Sequence, residues 1–338
     1  MASGSSAPAP FAGPTFPTPL RRVPEFSHER AEVWIKDDGR THATYGGNKV
    51  RQVAALVHDA EQRGARRIVT FGAAGSHHVL AMTLFARARG LACTAVLAPQ
   101  PKSEHAIETL RAAVGAGLEA FPARPSVIAP WAFARAFDFG DAIVPPGGLG
   151  ARGAAAYADA VGELVAQGVE LGVSAPDCIV VPLGTGVTAA GLLAGVTLRA
   201  LRTTVVAVAI VRNPVARALV MSMARGVIAR RGGGVGALRP ESLRIERGFI
   251  GEGYGAPTHE GEVALERARA AGIELDPTYT AKTMACVLDL VERTRTLRRS
   301  RPFRIVYWHT LSAAPLEPLL VGAPRFDELP AALRRLFL

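Results

Sequence analysis

Residues 178–200 read CIVVPLGTGVTAAGLLAGVTLRA. The first part, Cys178 to Pro182, is an apolar run rich in β-branched residues, the pattern of a strand buried on both faces. Gly184-Thr185-Gly186 then forces a turn, and Ala189 to Ala200 is a run of small and apolar residues long enough for a helix. Val205 to Val211 supplies the returning strand of a βαβ unit. The same alternation extends towards the N-terminus. Val33–Lys36, Arg67–Phe71 and Thr94–Leu97 read as strands, and Val50–Gln62, His77–Arg89, Glu104–Gly115 and Ala154–Gln167 as helices. In the first helix Val53, Leu56, Val57 and Ala60 fall on one face. Towards the C-terminus residues 213–231 read as a basic helix, Thr283–Arg295 as a helix and Arg304–Trp308 as a last strand. Pro122–Pro130 is rich in breakers, Ala142–Pro145 reads as a short strand or turn, and Gly147–Gly153 as a hinge. The pattern predicts an α/β fold of two lobes with a cleft between them, each an open, mostly parallel sheet flanked by helices.

Composition supports a large packed core. The chain has 338 residues, 49% of them hydrophobic and 20% charged, and no apolar run reaches the roughly 18–20 residues of a membrane span. The net charge is +10, but the arginines are scattered; the dense stretch Arg293–Arg304 has one nearby aromatic, Phe303, and reads as a solvated helix end rather than a nucleic-acid platform. Cys93, Cys178 and Cys286 are too far apart for a metal motif and odd in number, so they read as reduced and buried. Residues 1–14 are Ala/Ser/Gly/Pro-rich without a charged or apolar leader pattern, which predicts a disordered start and a cytoplasmic protein.

Three loops carry chemistry. In Gly184-Thr185-Gly186-Val187-Thr188 the glycines admit an anion to the start of a helix, where unpaired N–H groups and two threonine hydroxyls would hold a phosphate. The same loop fits a dinucleotide pattern through Gly184, Gly186 and Ala189, but the next strand ends in Arg212 and not in a carboxylate, which leaves only an NADP reading open. The second loop, Gly72-Ala73-Ala74-Gly75-Ser76-His77-His78, suits a carboxylate, with Ser76 as helix cap being the plain alternative. His77 and His78 are adjacent and cannot both face one site, and a zinc centre there lacks a third ligand at a recognised spacing. In the third, Tyr45-Gly46-Gly47-Asn48-Lys49, a lysine at a helix start is disfavoured as ammonium and so favoured as a nucleophilic amine. Lysine is otherwise scarce, occurring at Lys36, Lys102 and Lys282. An amine, a phosphate loop and a carboxylate loop together match the needs of pyridoxal phosphate bound to a small amino acid.

At these residues the sequence resembles the D-cysteine desulfhydrase and 1-aminocyclopropane-1-carboxylate (ACC) deaminase family of fold-type II, tryptophan-synthase-β-like pyridoxal-phosphate enzymes. The resemblance is carried by TPLRRVPEF (18–26), YGGNKVRQV (45–53), GSHH (75–78), GEGYGAPTHEG (251–261), LDPTYTAKTMA (275–285) and WHT (308–310). It implies a large cofactor domain of residues 15–52 and 152–338, a small inserted domain of 53–151, and a homodimer. It also implies Lys49 as the Schiff-base lysine, Ser76 as a catalytic serine near the substrate, and Tyr254 and Tyr279 as active-site tyrosines. Thr280 falls beside the cofactor ring nitrogen, where the desulfhydrases carry Thr and the deaminases Glu. Cofactor contacts are expected from Asn48, Lys49, His77, Gly184, Thr185, Gly186, Val187, Thr188, Thr280 and Thr310, and substrate contacts from Ser76, His77, His78, Tyr254 and Tyr279. The implied reaction is β-elimination from a small amino acid to a 2-oxo acid and ammonia, with β-replacement, ACC-deaminase-like ring opening or a catalytically silent paralogue as alternatives.

The sequence departs from the family pattern at His77 for Asn, Val187 for Gly, Gln52 for Lys, Leu311-Ser312 for two glycines, and in Gly147-Gly148-Leu149-Gly150-Ala151-Arg152-Gly153, where a polar pair is lost and an arginine, Arg152, is added. Val187 is expected to resist a left-handed backbone, Gln52 to remove a cation near the phosphate, and Leu311-Ser312 to add bulk. Arg152 reads as either a contact for an acidic substrate group or a solvated hinge residue.

Overall fold

The computed structural model describes residues 13–123 and 140–338. Most of the predicted disordered start and of the breaker-rich stretch 122–130 lies outside the described residues.

The chain divides into two compact units, one holding Thr15–Leu56 and Pro145–Ala314, the other Val57–Val144 and Pro315–Leu338. The first contains a sheet ordered β1-β2-β10-β7-β8-β9, from Leu20–Arg22 (β1), Ala31–Asp37 (β2), Cys178–Leu183 (β7), Thr204–Ala209 (β8), Leu243–Glu246 (β9) and Phe303–His309 (β10). Only the β1–β2 pair is antiparallel. The second contains a parallel sheet ordered β5-β4-β3-β6, from Arg67–Ala73 (β3), Ala92–Ala98 (β4), Glu119–Pro122 (β5) and Asp141–Ile143 (β6). The C-terminal segment, expected with the large domain, packs on the smaller unit. Gln100 N donates to Leu336 O (2.9 Å), Leu338 N donates to Gln100 O (3.1 Å), and Arg111 Nε donates to Pro324 O (2.8 Å). These contacts are long-range, so no local pattern announced them.

Among the described residues eight longer helices join the strands: Lys49–Gln62 (α1), His77–Ala88 (α2), Glu104–Gly115 (α3), Ala151–Glu170 (α4), Val187–Leu198 (α5), Ala216–Arg230 (α6), His259–Ala270 (α7) and Thr280–Thr294 (α8). The second half of the stretch 147–153, read as a hinge, is helical. Gly147, Gly148 and Gly150 have positive φ, and α4 already begins at Ala151. The strand β9 and helix α7 carry no strong apolar period and were not anticipated. Among the described residues no helix is long and apolar enough to cross a membrane.

The six-stranded sheet is apolar on both faces, as a parallel sheet covered on both sides must be. Ile179, Val181, Val205, Ala207, Val306 and Trp308 face one core with α4, α5 and α6. Cys178, Val180, Val206, Val208, Ile305 and Tyr307 face another core with α7 and α8. Helix α5 is buried all round from Val187 to Val196, which explains its lack of a polar face. It lies against α4 because Gly191 has no side chain: a Cβ there would run into the Ala154 carbonyl oxygen and meet Tyr157 Cβ at 2.7 Å. The cysteines are free and buried. The arginine-dense stretch pairs with acids, Arg299 and Arg301 with Asp177 and Arg304 with Glu32.

Substituting Gly191→Ala is expected to destabilise the chain by about 1–3 kcal/mol through overpacking. Gly248→Ala, where nothing lies within 4 Å of the added Cβ, should stay within about 0.5 kcal/mol of the parent. Urea denaturation of the two variants side by side measures both.

Candidate active site

The loop that leads into α1 is pinned on several sides. Gly47 N donates to Asp38 O (2.9 Å) and Asn48 N to Thr310 O (3.2 Å). Gly46 N donates to Ser312 Oγ (3.0 Å), and Thr41 Oγ1 donates to Gly47 O (2.9 Å). Glycine is needed at both central positions. A Cβ on Gly46 would collide with the Gly39 carbonyl, and Gly47 sits at φ +92° with its Cβ direction 3.0 Å from Thr310 O. The Leu311-Ser312 departure therefore does more than add bulk, because the serine hydroxyl accepts a hydrogen bond from the lysine loop.

Lys49 is the first residue of α1 and is half-buried. Loss of hydration around its ammonium lowers its pKa from the ordinary 10.5 to about 8. Burial is thus the cause found, where the sequence argument had invoked the helix end. Two residues on, Arg51 is buried between two carboxylates. Its Nε donates to Asp38 Oδ2 (2.9 Å), and Nη1 and Nη2 donate to Glu163 (2.7 and 2.9 Å).

In the glycine loop between β7 and α5, the left-handed residue is Gly186, at φ 88°. Val187 is the first residue of the helix and is buried in the core. The expected conflict at Val187 does not arise, because the backbone asks positive φ of its neighbour. Thr185 is exposed and Thr188 buried. Asn48 Nδ2 donates to Thr188 Oγ1 (3.0 Å), which ties the residue before Lys49 to the start of α5. Tyr157, fully buried in α4, completes this cluster. Its hydroxyl donates to Asn48 O (2.8 Å) and lies 3.2 Å from Gln52 Oε1. Gln52 Nε2 in turn donates to Gly147 O (2.8 Å). Where a cation was expected to be missing, there is a neutral buried amide with satisfied hydrogen bonds. Tyr157 was missed by the sequence reading; a lone aromatic in the small-residue helix AAAYADA (154–160) was the available signal.

The tyrosines expected in the site are adjacent. Tyr254 and Tyr279 place their hydroxyl oxygens 2.9 Å apart, one donating to the other, with rings edge to face at 5.9 Å. Burial, and then Tyr254, push the Tyr279 phenol well above its usual range. Tyr279 Cε1 is 3.7 Å from where a Cβ on Gly184 would stand, so the pair borders the glycine loop. Thr280 is fully buried, and its hydroxyl donates to Asp276 Oδ2 (2.6 Å). Asp276 caps the whole turn, accepting from the N–H groups of Thr278 (2.9 Å), Tyr279 (2.7 Å) and Thr280 (3.1 Å). That cap starts α8 three residues earlier than the apolar pattern had suggested.

Ser76, His77 and His78 belong to the smaller unit. Ser76 occupies the N-cap position of α2 but makes no capping hydrogen bond through its side chain, so the plain capping reading does not account for it. His77 and His105 bring their Nε2 atoms within 2.8 Å, one ring donating to the other. His105 was not anticipated. His78 is buried; its Nε2 lies 3.1 Å from Thr70 Oγ1, which donates to Val144 O (3.1 Å). This joins α2 to β3 and to the exit of β6. Arg152 is exposed in the first turn of α4.

The larger unit thus assembles Asn48, Lys49, Gly184–Thr188, Tyr254, Tyr279 and Thr310 around the ends of β2, β7 and β10. Such an arrangement fits a phosphorylated aldehyde. Lys49 offers an amine that is partly neutral near pH 8. In the turn that leads into α5, Gly184 is half-buried and Thr185 exposed, and a helix N-terminus of this kind suits an anion. A separate apolar cavity of about 150 Å³, lined by Leu20, Trp34, Leu164 and Val306 among others, contains none of these residues.

Comparison with known proteins points the same way. The family described as pyridoxal-phosphate dependent enzyme matches residues 12–310. A nocardicin C-9' epimerase of Nocardia uniformis subsp. tsuyamanensis is 32% identical over 307 residues, covering 88% of this chain and 90% of that protein. A D-cysteine desulfhydrase of Klebsiella pneumoniae (strain 342) is 28% identical over 310 residues, covering 82% and 87%. Among solved structures, an ACC deaminase homologue superposes with a TM-score of 0.73 at 27% identity, covering 91% of this chain and 94% of that one.

Only the neutral amine attacks an aldehyde, so a pKa lowered to about 8 makes Lys49 reactive well below the ordinary lysine value of 10.5. Borohydride trapping of pyridoxal phosphate on Lys49, followed by peptide mass spectrometry across a pH series, should give a midpoint near 8. A midpoint near 10.5 would contradict the burial argument.

Proposed function

This chain belongs to the pyridoxal-phosphate dependent enzymes, with the fold-type II architecture, and on that premise we propose that it removes the α-proton of a small amino acid and expels a β-substituent, giving a 2-oxo acid and ammonia. The observation that carries the reading is the half-buried Lys49, whose amine has its pKa lowered to about 8 by loss of hydration and which is held through Asn48 against Thr188 of the glycine loop.

When bound, the cofactor supplies an aldehyde that condenses with amines and a ring that delocalises the electron pair left at Cα. The rest falls to the chain. Thr185, with the first-turn N–H groups of α5, holds the phosphate. Lys49 would be a base of suitable strength to take the α-proton and hold it on Nζ. The linked hydroxyls of Tyr254 and Tyr279 pass a proton to the departing β-group. Ser76, whose hydroxyl is not spent on capping α2, is assigned to the substrate carboxylate on the strength of the resemblance to the desulfhydrases. A homodimer and a cytoplasmic location belong to this same reading.

Epimerisation at Cα is the second reading, favoured by the 32% identity to an epimerase over 88% of the chain. It shares the first step and differs in the fate of the substrate, since the proton returns to Cα from the other face and nothing leaves.

Reconstituted with pyridoxal phosphate, the chain should develop a visible absorbance band that Lys49→Ala lacks. With D-cysteine, the parent should release 2-oxo acid and ammonia, and Lys49→Ala should lose roughly a thousandfold or more of that activity. Tyr254→Phe should lose about a hundredfold in release while keeping the band. Run in deuterium oxide, inverted and deuterated substrate with no oxo acid would replace elimination by epimerisation. Absence of the visible band from the parent would remove both readings.

A further inference from the structure

Lys282 is fully buried and stands third in α8, within the first turn, where the helix dipole opposes a cation. Burial lowers its pKa, and among the described residues no carboxylate pairs with it. Its amine donates to two carbonyl oxygens of one loop, Ile250 O (2.7 Å) and Gly253 O (3.1 Å). A buried cation in that position is unfavourable for stability, since an apolar side chain of similar volume would avoid the desolvation. What it holds explains its presence. The loop runs Gly251-Glu252-Gly253-Tyr254-Gly255, and all three glycines have positive φ. Nothing lies within 4 Å of a Cβ placed on Gly253 or Gly255, and Tyr254 itself is 59% exposed. Ile250 is anchored in the core and Gly251 lies close to Thr258, but beyond them packing does little to fix residues 252–255, and glycine leaves them a large conformational freedom to lose. The two Lys282 hydrogen bonds bracket the residues just before Tyr254, whose hydroxyl meets that of Tyr279 at 2.9 Å.

We propose that Lys282 is a positioning residue, which pins the 250–253 loop so that the Tyr254 hydroxyl is presented to Tyr279. Its effect on turnover rests on the part given to Tyr254 above; its effect on the loop does not.

Lys282→Met removes the donors and keeps the volume. Hydrogen–deuterium exchange on the cofactor-free chain should show the peptide across 250–255 exchanging roughly tenfold faster in the variant or more, while the thermal midpoint is not lowered. Lys282→Gln, which keeps an amide donor, should fall between the two and serves if the Met variant does not fold. Equal exchange in the parent and in either folded variant overturns the proposal. In the loaded enzyme, Lys282→Met should reduce kcat about as much as Tyr254→Phe with little change in KM, and the double variant should be no slower than the slower single one. Additive losses overturn the proposal. Absence of the visible band and of turnover in the parent would sink the proposed function, and the exchange comparison would still decide the role of Lys282.

Discussion

A carboxylate buried beyond the end of β2 organises the larger unit. Asp38 is fully buried, and it accepts from Thr18 Oγ1 (2.9 Å), Arg51 Nε (2.9 Å to Oδ2) and Trp308 Nε1 (2.6 Å). Its main-chain carbonyl accepts Gly47 N–H. The end of β2, the start of α1 and the end of β10, the last 270 residues away in sequence, therefore meet at one residue. Arg51 extends the cluster to Glu163 in α4, where Lys36 also arrives at 3.1 Å. Burial alone would raise the Glu163 carboxyl, but the Arg51 hydrogen bond and charge outweigh it and hold it below the usual carboxylate range. Buried charges persist only when paired and hydrogen-bonded. Every group here is satisfied by another whose position it also dictates. Lys49 sits two residues from Arg51, so this buried network sets where its amine emerges.

The all-parallel core of the sheet explains why the candidate site residues gather at one edge. In an open α/β sheet, loops leaving the carboxyl ends of neighbouring strands converge, and the helices that follow turn their N-termini to the same place. Here β2 feeds the lysine loop, β7 the glycine loop, and β10 the Thr310–Ser312 segment. Hydrogen bonds knit the three together, from Asn48 to Thr188, Asn48 to Thr310 and Gly46 to Ser312. Tyr254 and Tyr279 come from elsewhere: Asp276 accepts the N–H of Tyr279, and Lys282 donates to Ile250 O and Gly253 O in the loop that precedes Tyr254.

Much of this was legible in the sequence. The run 178–200 was enough to announce a βαβ unit, and the strands β2, β3, β4, β7, β8 and β10 follow from their apolar runs. Positions with unusual backbone demands were also visible, since Gly46, Gly47 and Gly186 are glycines where a side chain would clash or strain. The departures were read less well. Val187 drew concern because the spacing of the loop does not say which residue takes positive φ. Gln52 and Ser312 were counted as losses because their new hydrogen-bond partners, Gly147 and Gly46, lie 95 and 266 residues away.

The sequence alone therefore determined the fold class and the glycine-bearing loops, because strand and helix periods and glycine requirements are local properties of the chain. Tertiary structure alone decided which polar side chains are buried together, what lowers the Lys49 pKa, and that Tyr157 meets Asn48, Asp276 meets Tyr279 and His105 meets His77. Desolvation and hydrogen-bond pairing are set by neighbours in space, and for Asp38 and Trp308 those neighbours stand 270 residues apart.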